Sequence, residues 1–150
     1  VALGTDGPML DNSVDMVEVL KFTSALHNVH HLNPRALPAE RVLEMATINA
    51  ARALGMEEEI GSLEPGKKAD ITIFDMDRPE WIPMHNPIQT LVYSAGGESV
   101  ETVLIDGRVV MENRKVQTVD EKEILHQVKT LAPAVAQRAG LEPQTSWTLV

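Results

Sequence analysis

The chain has 150 residues, 43% of them hydrophobic and 3% aromatic, with a formal net charge of −9. That length accommodates one domain with a substantial, aliphatic core, and the acidic balance excludes a nucleic-acid backbone as partner, because phosphates select basic surfaces. No apolar run is long enough to span a bilayer, no signal-peptide pattern is visible and there is no cysteine, which leaves no disulfide, thiol nucleophile or Cys-ligated zinc and makes the cytoplasm the default compartment.

Val1-Ala2-Leu3 is a short apolar run that ends in Gly4-Thr5-Asp6-Gly7. The pattern predicts a buried strand delivering one carboxylate to its C-terminal tip. A carboxylate in that place binds a metal, moves a proton, or caps the next helix. The strand starts at once on a residue other than methionine, with nothing before it to pair with, so the sequence is expected to be a piece of a longer chain.

A polar turn over Pro8–Ser13 precedes a helix expected from about Val14 to His30. Asn12 or Ser13 is the expected cap and Asp15 falls in the first turn, where the helix dipole favours it. Met16, Val19, Leu20, Phe22 and Leu26 recur at helical spacing and are expected to face a core; Asn33-Pro34 ends the element. Leu37-Pro38 opens a second helix with Pro38 at its first position. Val42, Leu43, Ala46, Ile48, Ala50 and Leu54 bury it, and Gly55 caps it in the left-handed conformation.

The period then changes. Glu64-Pro65-Gly66-Lys67 fits a type II turn, Ala69–Asp75 alternates as a strand, and Arg78–Pro87 is irregular. Ile88–Ala95 predicts a short helix broken by Gly96-Gly97. Val100–Ile105 and Arg108–Met111 flank Asp106-Gly107, a hairpin signal that requires two residues tolerating positive φ. A last helix is expected over Asp120–Ala139. Its capping-box pair is Asp120 and Glu123, its stripe is Ile124, Val128, Leu131 and Val135, and Pro133 falls inside it.

Three stretches together resemble the amidohydrolase superfamily of metal-dependent hydrolases. The first is Gly4-Thr5-Asp6-Gly7, similar to the end of the last barrel strand. The second runs from Ala46-Thr47-Ile48-Asn49-Ala50-Ala51-Arg52 through Gly61-Ser62-Leu63-Glu64-Pro65-Gly66-Lys67-Lys68-Ala69-Asp70. The third is Pro87-Ile88-Gln89-Thr90-Leu91-Val92-Tyr93-Ser94-Ala95 with the Val103–Val109 hairpin. Within the superfamily they most resemble the aminohydrolase and chlorohydrolase branch, which includes deaminases of adenosine-type nucleosides, guanine and triazines.

The resemblance implies an α/β fold: the C-terminal part of a (β/α)8 barrel joined to a small β-sandwich, with a C-terminal helix. The implied divisions are residues 1–55 for the last barrel strand and following helices, 56–118 for the sandwich portion, 119–140 for the helix and 141–150 for a tail without an assigned role. It also implies hydrolytic deamination or dechlorination of an aminated N-heterocycle, with one zinc or iron activating a water. By this analogy Asp6 is both a metal ligand and the catalytic acid–base group, taking the proton of the attacking water and delivering it to the departing amine. The family's other ligands, a His-x-His pair and two later histidines, sit on strands that these residues do not contain. A complete barrel takes roughly 250 residues, so the isolated chain is expected to be inactive, and the intact enzyme to be a homo-oligomer.

The resemblance departs at Pro8-Met9-Leu10-Asp11-Asn12-Ser13. Members acting on adenosine-type substrates have small residues and then Ser-Asn-Asn here, so the substrate is not carried over. Glu112-Asn113-Arg114 likewise stands where a glycine-rich turn is commoner. Other candidates have plainer readings. His27, His30 and His31 form either a metal cluster at helical spacing or a solvated helix end. His85 is in a proline-rich loop and His126 on the last helix. Glu57-Glu58-Glu59 reads as a solvated turn; Trp81 and Trp147 are interface anchors or local packing. The alternative to an enzyme fragment is a non-catalytic dimerisation or binding module that pairs through Val1–Leu3 and the first two helices.

Overall fold

Residues 1–7 form no strand in the computed structural model, which describes residues 1–141, without the side chain of Asp11. Leu3 N–H donates to Met45 O at 3.1 Å, while Val1 stays 94% exposed. The buried strand expected here is therefore corrected: a strand exists only in a ladder, and no described residue pairs with these seven as one. Instead of a plain turn, Pro8–Asp11 makes a four-residue helix, α1, with Gly7 as N-cap and Pro8 at the first helical position, ending on Asn12 at φ 62°.

Helix α2 (Met16–His30) starts on Asp15, one of whose oxygens accepts from Val17 N–H at 2.8 Å. The cap is thus Asp15 and not Asn12 or Ser13. The face that turns inward carries Val17, Leu20 and Ser24; Phe22 and Leu26, expected in the core, are 55% and 65% exposed. The helix carries two apolar stripes, and periodicity alone does not choose between them. Ser24 is fully buried because its hydroxyl donates to Leu37 O at 2.8 Å, while Asn28 Oδ1 accepts from Leu37 N–H at 3.0 Å. Together they pin the loop after the helix.

The single helix expected across residues 38–54 is two, α3 (Ala39–Ala46) and α4 (Ile48–Leu54). Thr47 interrupts them at φ −123°, ψ −102°, and its hydroxyl donates to Leu43 O at 2.7 Å, replacing the backbone as partner of that carbonyl. Pro38 is the N-cap of α3 rather than its first residue. Gly55, at φ 70°, caps α4 as expected. Leu20, Ala39, Val42 and Val92 form the first core, with Leu3, Leu37 and Leu91 packed around it.

The turn at Glu64–Lys67 is as read, with Gly66 at φ 97° and Lys67 N–H on Glu64 O at 3.2 Å. It leads into β1 (Ile71–Phe74). After a 3-10 turn at Pro79–Trp81 comes α5 (Pro87–Tyr93), capped by Asn86, and a second 3-10 turn at Gly97–Ser99. The chain then forms β2 (Val100–Ile105), β3 (Arg108–Glu112) and the two-residue β4 (Lys115–Val116), in sheet order β1-β2-β3-β4. β2 is antiparallel to both β1 and β3. Asp106 and Gly107, at φ 50° and 75°, make the hairpin turn that the sequence announces. Asn113 and Arg114 replace a glycine-rich turn by both adopting positive φ themselves, 49° and 62°. One register slip lies between Ile73 and Phe74. It breaks the expected alternation: Ile71 and Phe74 are half-buried and Ile73 is exposed. Phe74 meets Trp81 at a ring distance of 5.9 Å, and Val17, Trp81 and Ala95 form the second core.

The chain divides into two compact units, Val1–Lys115 and a second that starts at Val116. The second unit contains α6 (Glu121–Arg138), capped by Asp120, with Pro133 inside it. Ile124, Val128, Leu131 and Val135 form its stripe as expected, but no residue of α6 is buried. Among the described residues no helix is long and apolar enough to cross a membrane. Residues 142–150, with Trp147, lie outside the described part.

Candidate functional site

Asp6 stands at the end of the Val1–Asp6 segment, immediately before the cap of α1. Its backbone is left-handed, φ 56°, a conformation that Asp tolerates better than most residues because its short side chain bonds locally. That bond is present: Asp6 Oδ1 accepts from Gly7 N–H at 2.7 Å, while Thr5 Oγ1 donates to Asp6 O at 3.2 Å. The carboxylate is exposed, not buried. Gly7 and Pro8 then turn the chain at once into α1, which displays Met9 and Leu10 at 86% and 69% exposure.

A metal needs several donors converging on one point. Among the described residues no group of three or more His, Cys, Asp or Glu is placed to hold one. The donors present therefore do not make a metal site by themselves; Asp6 offers one carboxylate. His27 and His31 stack with ring centroids 6.2 Å apart, and His30 meets His31 edge-on at 4.9 Å. They sit at the end of α2, on its solvent side. His85 is exposed in the loop before α5, and His126 is exposed on α6.

The acidic run is more than a solvated turn. Lys67 Nζ donates to Glu57 O and to Ser62 Oγ, the latter at 2.7 Å, and Lys68 Nζ pairs with Glu59 Oε2 at 2.6 Å. The two lysines of the 64–68 turn thus clasp the loop after α4. The Ser62 hydroxyl, then the nearby Lys67, lowers the Glu64 carboxyl below its ordinary range. Trp81 is a core residue, 3% exposed, packed with Val17 and Ala95.

Two features were not singled out from the sequence. Asp15 serves two elements: besides capping α2, its Oδ2 accepts from Gly97 N–H at 3.0 Å. The signal for the cap was present, since Asp15 and Glu18 have capping-box spacing; nothing in the sequence announces a bond across 82 positions. The second is a pair of open apolar grooves. One, about 640 Å³, lies between Val1, Leu3, Met45 and the stripe of half-buried Val19 and exposed Phe22 and Leu26 on α2. The other, about 820 Å³, runs between α2, α3 and the sheet, lined by Leu20, Leu43, Phe74 and Val103 among others.

The amidohydrolase family model matches residues 1–110. The 5-methylthioadenosine/S-adenosylhomocysteine deaminase of Thermoanaerobacter pseudethanolicus is 45% identical over 138 residues, which are 92% of this chain and 32% of that protein. The 5'-deoxyadenosine deaminase of Methanosarcina acetivorans is 45% identical over 140 residues, 93% of this chain and 32% of that protein. Among solved structures, an adenosine deaminase from Xanthomonas campestris with bound Zn superposes with a TM-score of 0.87 at 31% identity, covering 91% of this chain and 31% of that one. An atrazine chlorohydrolase from Arthrobacter aurescens complexed with zinc gives 0.80 at 27% identity, over 89% and 30%. The chain spans about a third of the length of the curated relatives it matches. With the family model covering residues 1–110 of 150, the chain belongs to the amidohydrolase family.

Proposed function

We propose that this chain is the C-terminal part of a metal-dependent hydrolase that deaminates or dechlorinates an aminated N-heterocycle, cleaving a C–N or a C–Cl bond. Residues 1–55 contribute to a (β/α)8 barrel, 56–118 to a β-sandwich and 119–140 to a C-terminal helix. The observation that carries the reading is Asp6: an exposed carboxylate held in a left-handed turn, inside the stretch that matches the family. Zinc-bound relatives support a zinc ion, with iron as the other candidate. Asp6 is one ligand; the remaining donors come from residues outside this chain.

When bound, the metal supplies acidified water near neutral pH, bringing its pKa toward ~7. The protein's part is proton handling. Asp6 accepts the proton of the attacking water and passes it to the departing amine, so one carboxylate acts first as base and then as acid. The bond from Gly7 N–H to Oδ1 fixes the carboxylate's orientation. The 150-residue chain alone turns over no substrate, because one donor does not assemble the site. The intact enzyme is read as a homo-oligomer acting on a small molecule.

The test is Asp6→Asn in the intact enzyme. The reading requires turnover to fall by about 10²–10⁴-fold together with a drop in bound zinc; kcat/KM within tenfold of the parent enzyme refutes it. A second reading, a non-catalytic dimerisation module, is favoured by the open apolar groove between Val1, Leu3 and the Phe22 and Leu26 side chains. It requires the 150-residue chain to be a tight dimer by sedimentation, and a monomer excludes it.

A further inference from the structure

Met45 is the next-to-last residue of α3, and in an unbroken helix its carbonyl would accept from the Asn49 N–H, four residues on. The break at Thr47 interrupts that pattern. The backbone there lies at φ −123°, ψ −102°; the Thr47 hydroxyl donates to Leu43 O at 2.7 Å, and its N–H goes to Glu44 O at 3.3 Å. Met45 O accepts from Leu3 N–H instead, at 3.1 Å. Among the described residues this is the only hydrogen bond from residues 1–6 to anything beyond Gly7. The Leu3 side chain packs against the first core, as does Ala46, one residue past Met45. The break is also braced from outside. Gly61, at φ 89°, comes so close that a Cβ on it would lie 3.0 Å from Ile48 Cα and 3.3 Å from Thr47 O. Two residues of the stretch that carries the family resemblance, Thr47 and Gly61, thus meet at one point of the backbone.

We propose that Thr47 is a positioning residue for Asp6. By parting α3 from α4 it releases the Met45 carbonyl, which holds Leu3 and with it the short segment that ends on Asp6. This rests on the function proposed above, in which Asp6 handles the proton. Leu3 and Asp6 are three residues apart, at most about 10 Å of chain, so loosening the one displaces the other. A displacement of about 1 Å at a reacting group costs up to ~10²-fold in rate. Alanine at position 47 removes the hydroxyl and has the highest helix propensity. With it the helix runs on through residue 47, and Met45 O returns to the Asn49 N–H.

The experiment compares Thr47→Ala and Thr47→Ser with the parent in the intact zinc-loaded enzyme, on 5'-deoxyadenosine or an amino-triazine, whichever the parent turns over. Amide hydrogen exchange at Leu3, read by mass spectrometry, is measured beside the kinetics. In Thr47→Ala, kcat at full zinc occupancy is expected to fall about tenfold with KM within about twofold of the parent's, and the Leu3 amide to exchange about tenfold faster. Thr47→Ser, which keeps the hydroxyl, stays within about twofold of the parent in all three. These are the readouts because a merely structural role lowers the thermal midpoint and leaves kcat per bound zinc and the Leu3 amide unmoved. An unchanged Leu3 amide or an unchanged kcat in Thr47→Ala, or a Thr47→Ser enzyme as slow as Thr47→Ala, overturns the inference while leaving the function standing. No turnover of either compound by the zinc-loaded parent overturns both. Thr47→Val, which keeps the shape and lacks the hydroxyl, carries the same expectations where Thr47→Ala fails to fold.

Discussion

The Asp15 carboxylate ties the start of α2 to the turn that enters β2, and its weight is measurable. A Cβ at Gly97 would sit 2.5 Å from Asp15 Oδ2 and 2.8 Å from Cγ. Relieving that contact moves one group by roughly 1 Å. The carboxylate then loses the Gly97 N–H, at 3.0 Å, and its hold on Val17 N–H, at 2.8 Å. A hydrogen bond to a charged group contributes about 1.5–3 kcal/mol and an N-cap about 1 kcal/mol, so Gly97→Ala should destabilise the fold by about 3 kcal/mol. Asp15→Ala should cost about as much. In the Asp15→Ala background the obstruction is gone and Gly97→Ala should be nearly neutral, giving a coupling energy of about 2–3 kcal/mol. Urea unfolding, followed by far-UV circular dichroism, measures all four corners. A cost below about 0.5 kcal/mol for Gly97→Ala, or the same cost with and without the carboxylate, refutes the reasoning.

Three further outcomes follow from particular contacts. Glu80 Oε1 accepts from Ser99 Oγ at 2.7 Å and Arg78 Nε at 2.8 Å, which holds its carboxyl down to about 2 from an ordinary 4.5. A depressed folded-state value stabilises the fold above the ordinary value, and that contribution fades as pH falls through the folded one. Stability should therefore decline between pH 4.5 and about 2, and Glu80→Gln should flatten that decline in acid titrations of unfolding. Val42 is fully buried against Leu20 and Val92; Val42→Ala should cost about 2 kcal/mol in the same urea assay. Gly61 sits at φ 89° with a would-be Cβ 2.7 Å from Ala51 Cβ. Gly61→Ala should lower stability by about 1–3 kcal/mol, and an unchanged midpoint would show that the loop after α4 yields freely.

Local chemistry was the readable part. Asp106-Gly107, Gly66 and Gly55 each adopt positive φ where the sequence calls for it, because their conformational demands are met within a few residues. What depends on partners was not readable. Val1–Gly7 has strand composition and forms no strand, since ladders are made by neighbours and not by propensity. Leu20 faces the core as expected, but Val17 and Ser24 join it on the inward face of α2 in place of Phe22 and Leu26, because burial of Ser24 depends on a carbonyl in the following loop. Thr47 splits one amphipathic pattern into two helices without a proline or glycine to mark the place. At the candidate site, the turn at Asp6 follows from its Gly-Thr-Asp-Gly setting, whereas the exposure of its side chain does not.

The sheet also carries two register slips, one between Ile73 and Phe74 and one between Val103 and Leu104. Opposite the first, β2 has one more residue than β1, so the count along the ribbon, as much as the identity of its residues, decides which side chains turn inward. Point substitutions leave that count alone, but a single-codon deletion would rotate everything downstream by half a turn. A single-residue insertion or loss inside the ribbon is therefore expected to disturb more packing than an exchange does, and a change of length is expected to cost least at its ends.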